Sequence, residues 1–142
     1  MNKQHLRWSE IDELVDILCK KIIIYSIDGV EIKDLWGLPR GGLIPTVMIS
    51  HRLGIPVSNG TISPNTLIID DICDSGKTFK EYFDYYQIQY SYPFNLKTAC
   101  LNYKPQTSSF QPTLWANQWD KKDWIVYPWE RKDSKTIQDY KI

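Results

Sequence analysis

Thr66-Leu-Ile-Ile-Asp-Asp-Ile-Cys-Asp-Ser-Gly-Lys-Thr78 is the stretch on which the reading of this chain turns. Thr66 to Ile69 are apolar or β-branched with no polar alternation, the pattern of a strand covered on both faces. Asp70 and Asp71 stand where such a strand is expected to surface. Asp74-Ser75-Gly76-Lys77-Thr78 is a small polar turn, and helical spacing begins at Thr78. Strand, acidic edge, tight loop and helix start together predict a site for a phosphorylated sugar. The unpaired first-turn N–H groups and the helix dipole favour an anion. The carboxylates can accept hydrogen bonds from vicinal hydroxyls, directly or through a hydrated divalent cation. The spacing Gly-x-x-x-x-Gly-Lys is absent, so this is not a Walker A loop.

Working outward, Pro39-Arg40-Gly41-Gly42 follow a second apolar run, Ile32 to Leu38, which reads as a strand. Adjacent glycines at the carboxyl end of a strand let backbone approach an anion, and Arg40 supplies charge. Leu43 to Leu53 then reads as a helix stopped by Gly54. Ile55-Pro56-Val57 can begin a short strand, and Ser58 to Asn65 is a brief polar turn. Downstream, Thr78 to Tyr90 reads as a helix with Phe79, Tyr82, Phe83 and Tyr86 along one side. Leu96 to Tyr103 reads as a further strand, ending at Lys104-Pro105, with a polar loop from Gln106 to Pro112. Near the start, Trp8 to Ile24 carries a helix pattern: Ser9 as N-cap, acids in the first turn, and Ile11, Leu14, Val15, Leu18 and Ile22 on one face. Asp28-Gly29 is a turn, and the charged segment 131–142 is expected to lie on the surface or fray.

The 142 residues suit a single domain, 1–142. Lys plus Arg and Asp plus Glu both number 17, so no net positive field exists for a nucleic-acid partner. No apolar run reaches membrane-spanning length, and Met1-Asn-Lys-Gln-His lacks signal-peptide character. Cys19, Cys73 and Cys100 are unpatterned and suit a reduced, cytoplasmic protein. Aromatic residues make up 13%, which favours a packed core and leaves rings for stacking on a base. His5 and His51 read as a terminal and a helix residue, without a catalytic setting.

The 66–78 stretch resembles the signature of type I phosphoribosyltransferases that binds phosphoribosyl pyrophosphate (PRPP). Gly37-Leu-Pro-Arg-Gly-Gly-Leu-Ile-Pro45 resembles the pyrophosphate loop of the same family, which commonly carries a cis peptide. Asp123-Trp-Ile-Val-Tyr-Pro-Trp-Glu130 resembles the base-binding end of the bacterial xanthine-guanine group. These resemblances span roughly residues 35 to 130. They imply a Rossmann-like α/β fold, a mostly parallel sheet of about four or five strands flanked by helices.

They also imply the site. Ser75, Gly76, Lys77 and Thr78 would cradle the 5′-phosphate. Asp70 and Asp71 would hold the ribose hydroxyls and, through water, Mg2+. Arg40 and Gly41 would receive the pyrophosphate, and Asp74 would manage the proton at purine N7. Lys104 would contact the purine 6-oxygen, Trp124 would stack on the ring, and the Ile125 carbonyl would read the 2-position. Read alone, Lys104 is a solvated surface lysine and Trp124 a packing residue.

The implied reaction is transfer of phosphoribosyl from PRPP to a 6-oxopurine, in a homodimer or homotetramer. The mobile lid that the family usually carries before the PRPP signature is shorter here by roughly twenty residues. Lids exclude water and complete catalytic sites. The alternatives are therefore a non-catalytic PRPP- or nucleotide-binding module, or a transferase for another base.

Overall fold

The computed structural model describes residues 2–89 and 95–131. The end of the helix expected to reach Tyr90 and nearly all of the charged segment 131–142 lie outside the described residues.

Strand β1 (Lys3–His5) leads into helix α1 (Trp8–Ile27), followed by β2 (Asp34–Gly37) and α2 (Leu43–Leu53). Then come β3 (Thr66–Cys73), α3 (Lys77–Gln89), β4 (Lys97–Tyr103), β5 (Leu114–Gln118) and β6 (Trp124–Val126). Four strands form one sheet in the order β2-β3-β4-β5, every neighbouring pair parallel. β1 and β6 pair in parallel as a separate two-stranded sheet. A parallel sheet needs both faces covered, which explains the unbroken apolar run at Leu67-Ile68-Ile69.

Successive side chains of a strand point to opposite faces. Leu67 and Ile69 therefore join α1 and α2 in one core, with Ile11, Val15, Leu18, Ile22, Ile49, Ala99 and Leu101. Ile68 and Cys100 face the other way, where Phe79 of α3 and Leu38 are buried. Tyr82, Phe83 and Tyr86 pack on that second cluster, as their spacing predicts. Arg52 of α2 ties to α1 through Asp12 Oδ1 at 2.6 Å. All three cysteines are buried and free.

Several local expectations are corrected. α1 is capped at Arg7 rather than Ser9: the Glu10 carboxylate accepts the Arg7 backbone N–H at 3.1 Å. The expected strand at Ile55–Val57 is reduced to one parallel bridge, Leu35 to Val57, because Pro56 lacks a donor for a longer ladder. β3 does not stop at Ile69 but runs to Cys73, so Asp70 and Asp71 lie within it. The ladder with β4 carries them, pairing Asp70 with Cys100 and Ile72 with Asn102. The short segment 58–65 is fastened to the body by Ile62, 4% exposed in the second cluster, and by Lys33 N–H donating to Asn65 O at 2.8 Å; the Ser58 hydroxyl braces it internally, donating to Thr61 O at 2.7 Å.

Candidate functional site

β2, β3 and β4 are adjacent and parallel, so the segments that leave their carboxyl ends meet along one edge of the sheet. These segments are 39–42, 74–77 and 104–110. Arg40, Asp74 and Lys104 are thus gathered from well-separated parts of the chain.

The first segment is tight. The Pro39–Arg40 peptide is cis, and the Gly42 N–H returns to Leu38 O at 2.8 Å. Leu38 N–H donates to Ile69 O at 2.9 Å, anchoring the loop to β3. A Cβ on Gly41 would collide with the Asp71 carboxylate, reaching its Cγ at 2.6 Å. Only glycine lets this loop lie against the acidic strand. Gly42 is equally enclosed, with Leu38 O at 2.7 Å from a built Cβ.

Asp70 and Asp71 are both partly buried. Asp70 Oδ1 accepts the Asp71 N–H at 2.9 Å. Burial pushes the Asp71 carboxyl up to about 6; the hydrogen bond with Asp70 opposes this and the charge of Glu130 adds to it. Mg2+ is commonly held by one or two carboxylates, with water and substrate phosphates completing its shell. Asp70 and Asp71 fit that mode. Among the described residues no group of three or more His, Cys, Asp or Glu side chains is poised to enclose a metal.

In the second segment Gly76 has φ +79°, and a Cβ there would meet Ser108 Oγ at 2.6 Å and Phe110 Cβ at 2.7 Å. Glycine is required by both conformation and space. Ser75 Oγ accepts the Lys77 N–H at 3.2 Å. The helix opens with a bond from Lys80 N–H to Gly76 O at 2.9 Å, so the N–H groups of Thr78 and Phe79 precede the intrahelical ladder. The loop is braced from the third segment: Ser109 N–H donates to Ser75 O at 2.9 Å, and the Thr107 hydroxyl to Asp74 Oδ1 at 2.6 Å.

Lys104 corrects the reading of a solvated lysine. It is 5% exposed, and its ammonium donates to Asp123 O at 2.8 Å. Its Nζ lies 3.9 Å from Asp74 Oδ2. Burying an ammonium is costly unless it is paired; here Asp74 and the Asp123 carbonyl supply the partners and link the third segment to β6.

β6 carries Trp124 and Ile125. Trp124 N–H donates to Asn2 O at 2.9 Å, and Leu6 N–H to Val126 O at 2.9 Å. Trp124 and Val126 thus bond to β1, and strand alternation turns the Ile125 peptide groups to the opposite edge. The Trp124 ring is partly buried, and among the described residues its indole N–H has no acceptor. Trp129 stacks on Tyr127, with centroids 4.9 Å apart and planes at 11°.

Sequence reasoning passed over Asn102, Tyr127, Glu130 and Thr107. Tyr127 and Glu130 lie inside the quoted 123–130 motif, but their partners are invisible in it. The Tyr127 hydroxyl donates to Asp71 O at 3.0 Å and accepts from Asn102 Nδ2 at 3.1 Å. Glu130 Oε1 accepts the Tyr127 N–H at 2.7 Å.

No family model and no curated protein matches the chain. Solved structures do. A purine phosphoribosyltransferase from Pyrococcus horikoshii superposes with a TM-score of 0.76 at 28% identity, covering 97% of this chain and 100% of that one. Helicobacter pylori xanthine-guanine-hypoxanthine phosphoribosyltransferase gives 0.71 at 19% identity, over 91% and 94% of the two chains. A Neisseria gonorrhoeae protein described as hypothetical, with bound ppGpp, gives 0.73 at 19%, over 93% and 91%. The last two share the fold. With the end-to-end match at 28% identity and both glycine-containing loops at the carboxyl edge of the parallel sheet, this chain has the fold of the type I phosphoribosyltransferases.

Proposed function

We propose that residues 1–142 act as one domain that transfers the 5-phosphoribosyl group from PRPP to a 6-oxopurine and releases pyrophosphate. The observation that carries this reading is the meeting of the 39–42, 74–77 and 104–110 segments at one sheet edge, with Gly41 against Asp71 and Lys104 beside Asp74.

Charge assigns the work. The 5′-phosphate sits at Ser75 to Thr78, where backbone N–H groups and hydroxyls point at the helix start. Asp70 and Asp71 accept the ribose hydroxyls and hold Mg2+ through water. Bound there, the cation would supply charge neutralisation for the departing pyrophosphate. Arg40 and the Gly41 backbone receive that pyrophosphate. Lys104, held at fixed height by Asp123 O, donates to the purine 6-oxygen. Trp124 stacks on the ring and Ile125 O faces its 2-position. Asp74 accepts or returns the proton at N7. A positively charged ribosyl centre forming between base and pyrophosphate needs no protein nucleophile, and none is proposed.

A second reading, a PRPP- or nucleotide-binding module without catalysis, is favoured by one observation: segment 58–65 is short and its Ile62 is buried in the core rather than available as a lid. Both readings meet the same assay. Purified protein, Mg2+ and PRPP are mixed with guanine, xanthine, hypoxanthine, adenine or uracil, and pyrophosphate release is followed. Release that requires a 6-oxopurine is the expected result. Release only with adenine or uracil would shift the acceptor. No release with any base, together with calorimetric binding of PRPP or a purine nucleotide, would establish the binding module.

A further inference from the structure

Tyr127 belongs to two structures at once. Its backbone follows directly on β6 and is clamped by Glu130: the Tyr127 N–H donates to Glu130 Oε1 at 2.7 Å and the Glu130 N–H returns to Tyr127 O at 2.9 Å. Its ring is stacked on Trp129 and 3% exposed. Its hydroxyl crosses to β3 and donates to the Asp71 carbonyl at 3.0 Å. The hydroxyl is itself oriented by Asn102 Nδ2 at 3.1 Å, and Asn102, wholly buried, accepts from Asn117 Nδ2 at 3.1 Å.

This chain of bonds is satisfied at every link and lies in the interior, where hydrogen bonds are strong and a missing partner is costly. A rigid ring with its ends fixed in different elements transmits displacement between them. One end is at the strand whose Trp124 and Ile125 are assigned to the base. The other is at the peptide of a carboxylate assigned to ribose and metal.

We propose that Tyr127 is a positioning residue that couples the base-reading strand β6 to the acidic pair, so that a seated base tightens the binding of Mg2+·PRPP. The inference rests on the site assignments of the proposed function. It differs from that reading in making the two half-sites energetically dependent on each other through one hydroxyl.

The test is a binding cycle that needs no turnover. The affinity for Mg2+·PRPP is measured by calorimetry with and without a saturating 6-oxo 9-deazapurine, which has carbon in place of the nitrogen that attacks ribose. In the unaltered protein the analogue is expected to tighten binding by about fivefold or more, the scale of ordinary coupling between sites. In Tyr127→Phe the enhancement is expected to fall to within about twofold of none. Asn102→Ala, which removes the donor orienting the hydroxyl, predicts the same loss and serves if Tyr127→Phe does not fold.

A purely structural role would weaken both measurements together and leave their ratio intact. An unchanged ratio in both variants, or no enhancement in the unaltered protein, overturns the coupling. Enhancement without pyrophosphate release from any true base would overturn the transferase while leaving the coupling in place. Failure to bind Mg2+·PRPP at all would remove both.

Discussion

The Lys104 ammonium stands 3.9 Å from the Asp74 carboxylate while donating to Asp123 O at 2.8 Å. A buried cation between a candidate proton acceptor and the backbone beside Trp124 makes the base end of this site a charged, oriented device. Asp74→Asn keeps the shape and removes the base. It is expected to lower kcat by about 100-fold or more, the range of general acid–base catalysis, with the KM for PRPP changed by less than about threefold. Steady-state kinetics decide it, and equal losses in both constants would make Asp74 a ligand contact only.

Lys104→Met removes the donor assigned to the 6-oxygen and leaves Asp74 without its buried partner. A hydrogen bond from a charged donor is worth about 1.5–3 kcal/mol, so kcat/KM for 6-oxopurines should fall by about 10- to 100-fold. The same substitution should leave calorimetric binding of Mg2+·PRPP within about threefold of the original. A comparable loss of PRPP affinity would place Lys104 in the scaffold of the phosphate loop instead.

Gly76→Ala forces a side chain to φ +79° and into Ser108 and Phe110. Strain of this kind is expected to cost about 1–3 kcal/mol, read as a lowered Tm. Binding of PRPP should weaken further than stability does, because the displaced loop is the one proposed to hold the 5′-phosphate. A Tm and an affinity both unchanged would show that the loop adapts.

The Asp71 carboxyl, pushed up to about 6 by burial, sets two opposite pH trends. Its folded value lies above its ordinary 3.8. Its contribution to stability without ligand is therefore full below that ordinary value and lost as pH rises through about 6. If Asp71 holds Mg2+·PRPP as proposed, binding draws on the carboxylate and should strengthen over the same rise. Affinity at pH 5 is expected to be about tenfold weaker than at pH 7.5, since each pH unit below the pKa costs tenfold in the ionised fraction. Calorimetry at the two values checks this, and Asp71→Asn should flatten the dependence.

Much of this architecture was readable along the chain because its signals are local. Leu67-Ile68-Ile69 lack alternation because both faces of β3 are covered, and Gly54 ends α2 with φ +68° as a C-terminal glycine should. Gly41 was recognisable as a place of close approach, although what approaches it, Asp71, was not; Gly76 read only as part of a polar turn, and Phe110 against it had no sign in the sequence. β1 gave no signal: Lys3-Gln4-His5 is polar and exposed throughout, and its pairing is supplied by Trp124–Val126 at the far end of the described chain. The cap at Arg7 was equally hidden, since the bond comes from the side chain of Glu10 to a backbone N–H, and arginine is not a preferred N-cap residue.

The sequence by itself determined the central strands β2, β3 and β4 and the polar and glycine-bearing loops that follow them, because periodicity, backbone freedom and charge are properties of neighbouring residues. Tertiary structure alone decided that Lys104 is buried against Asp74 and Asp123 rather than solvated, and that Tyr127 reaches Asp71. These contacts join residues far apart in the chain. Parallel pairing of β2, β3 and β4 brings their carboxyl ends together, and only then do burial and pairing fix which way each side chain faces.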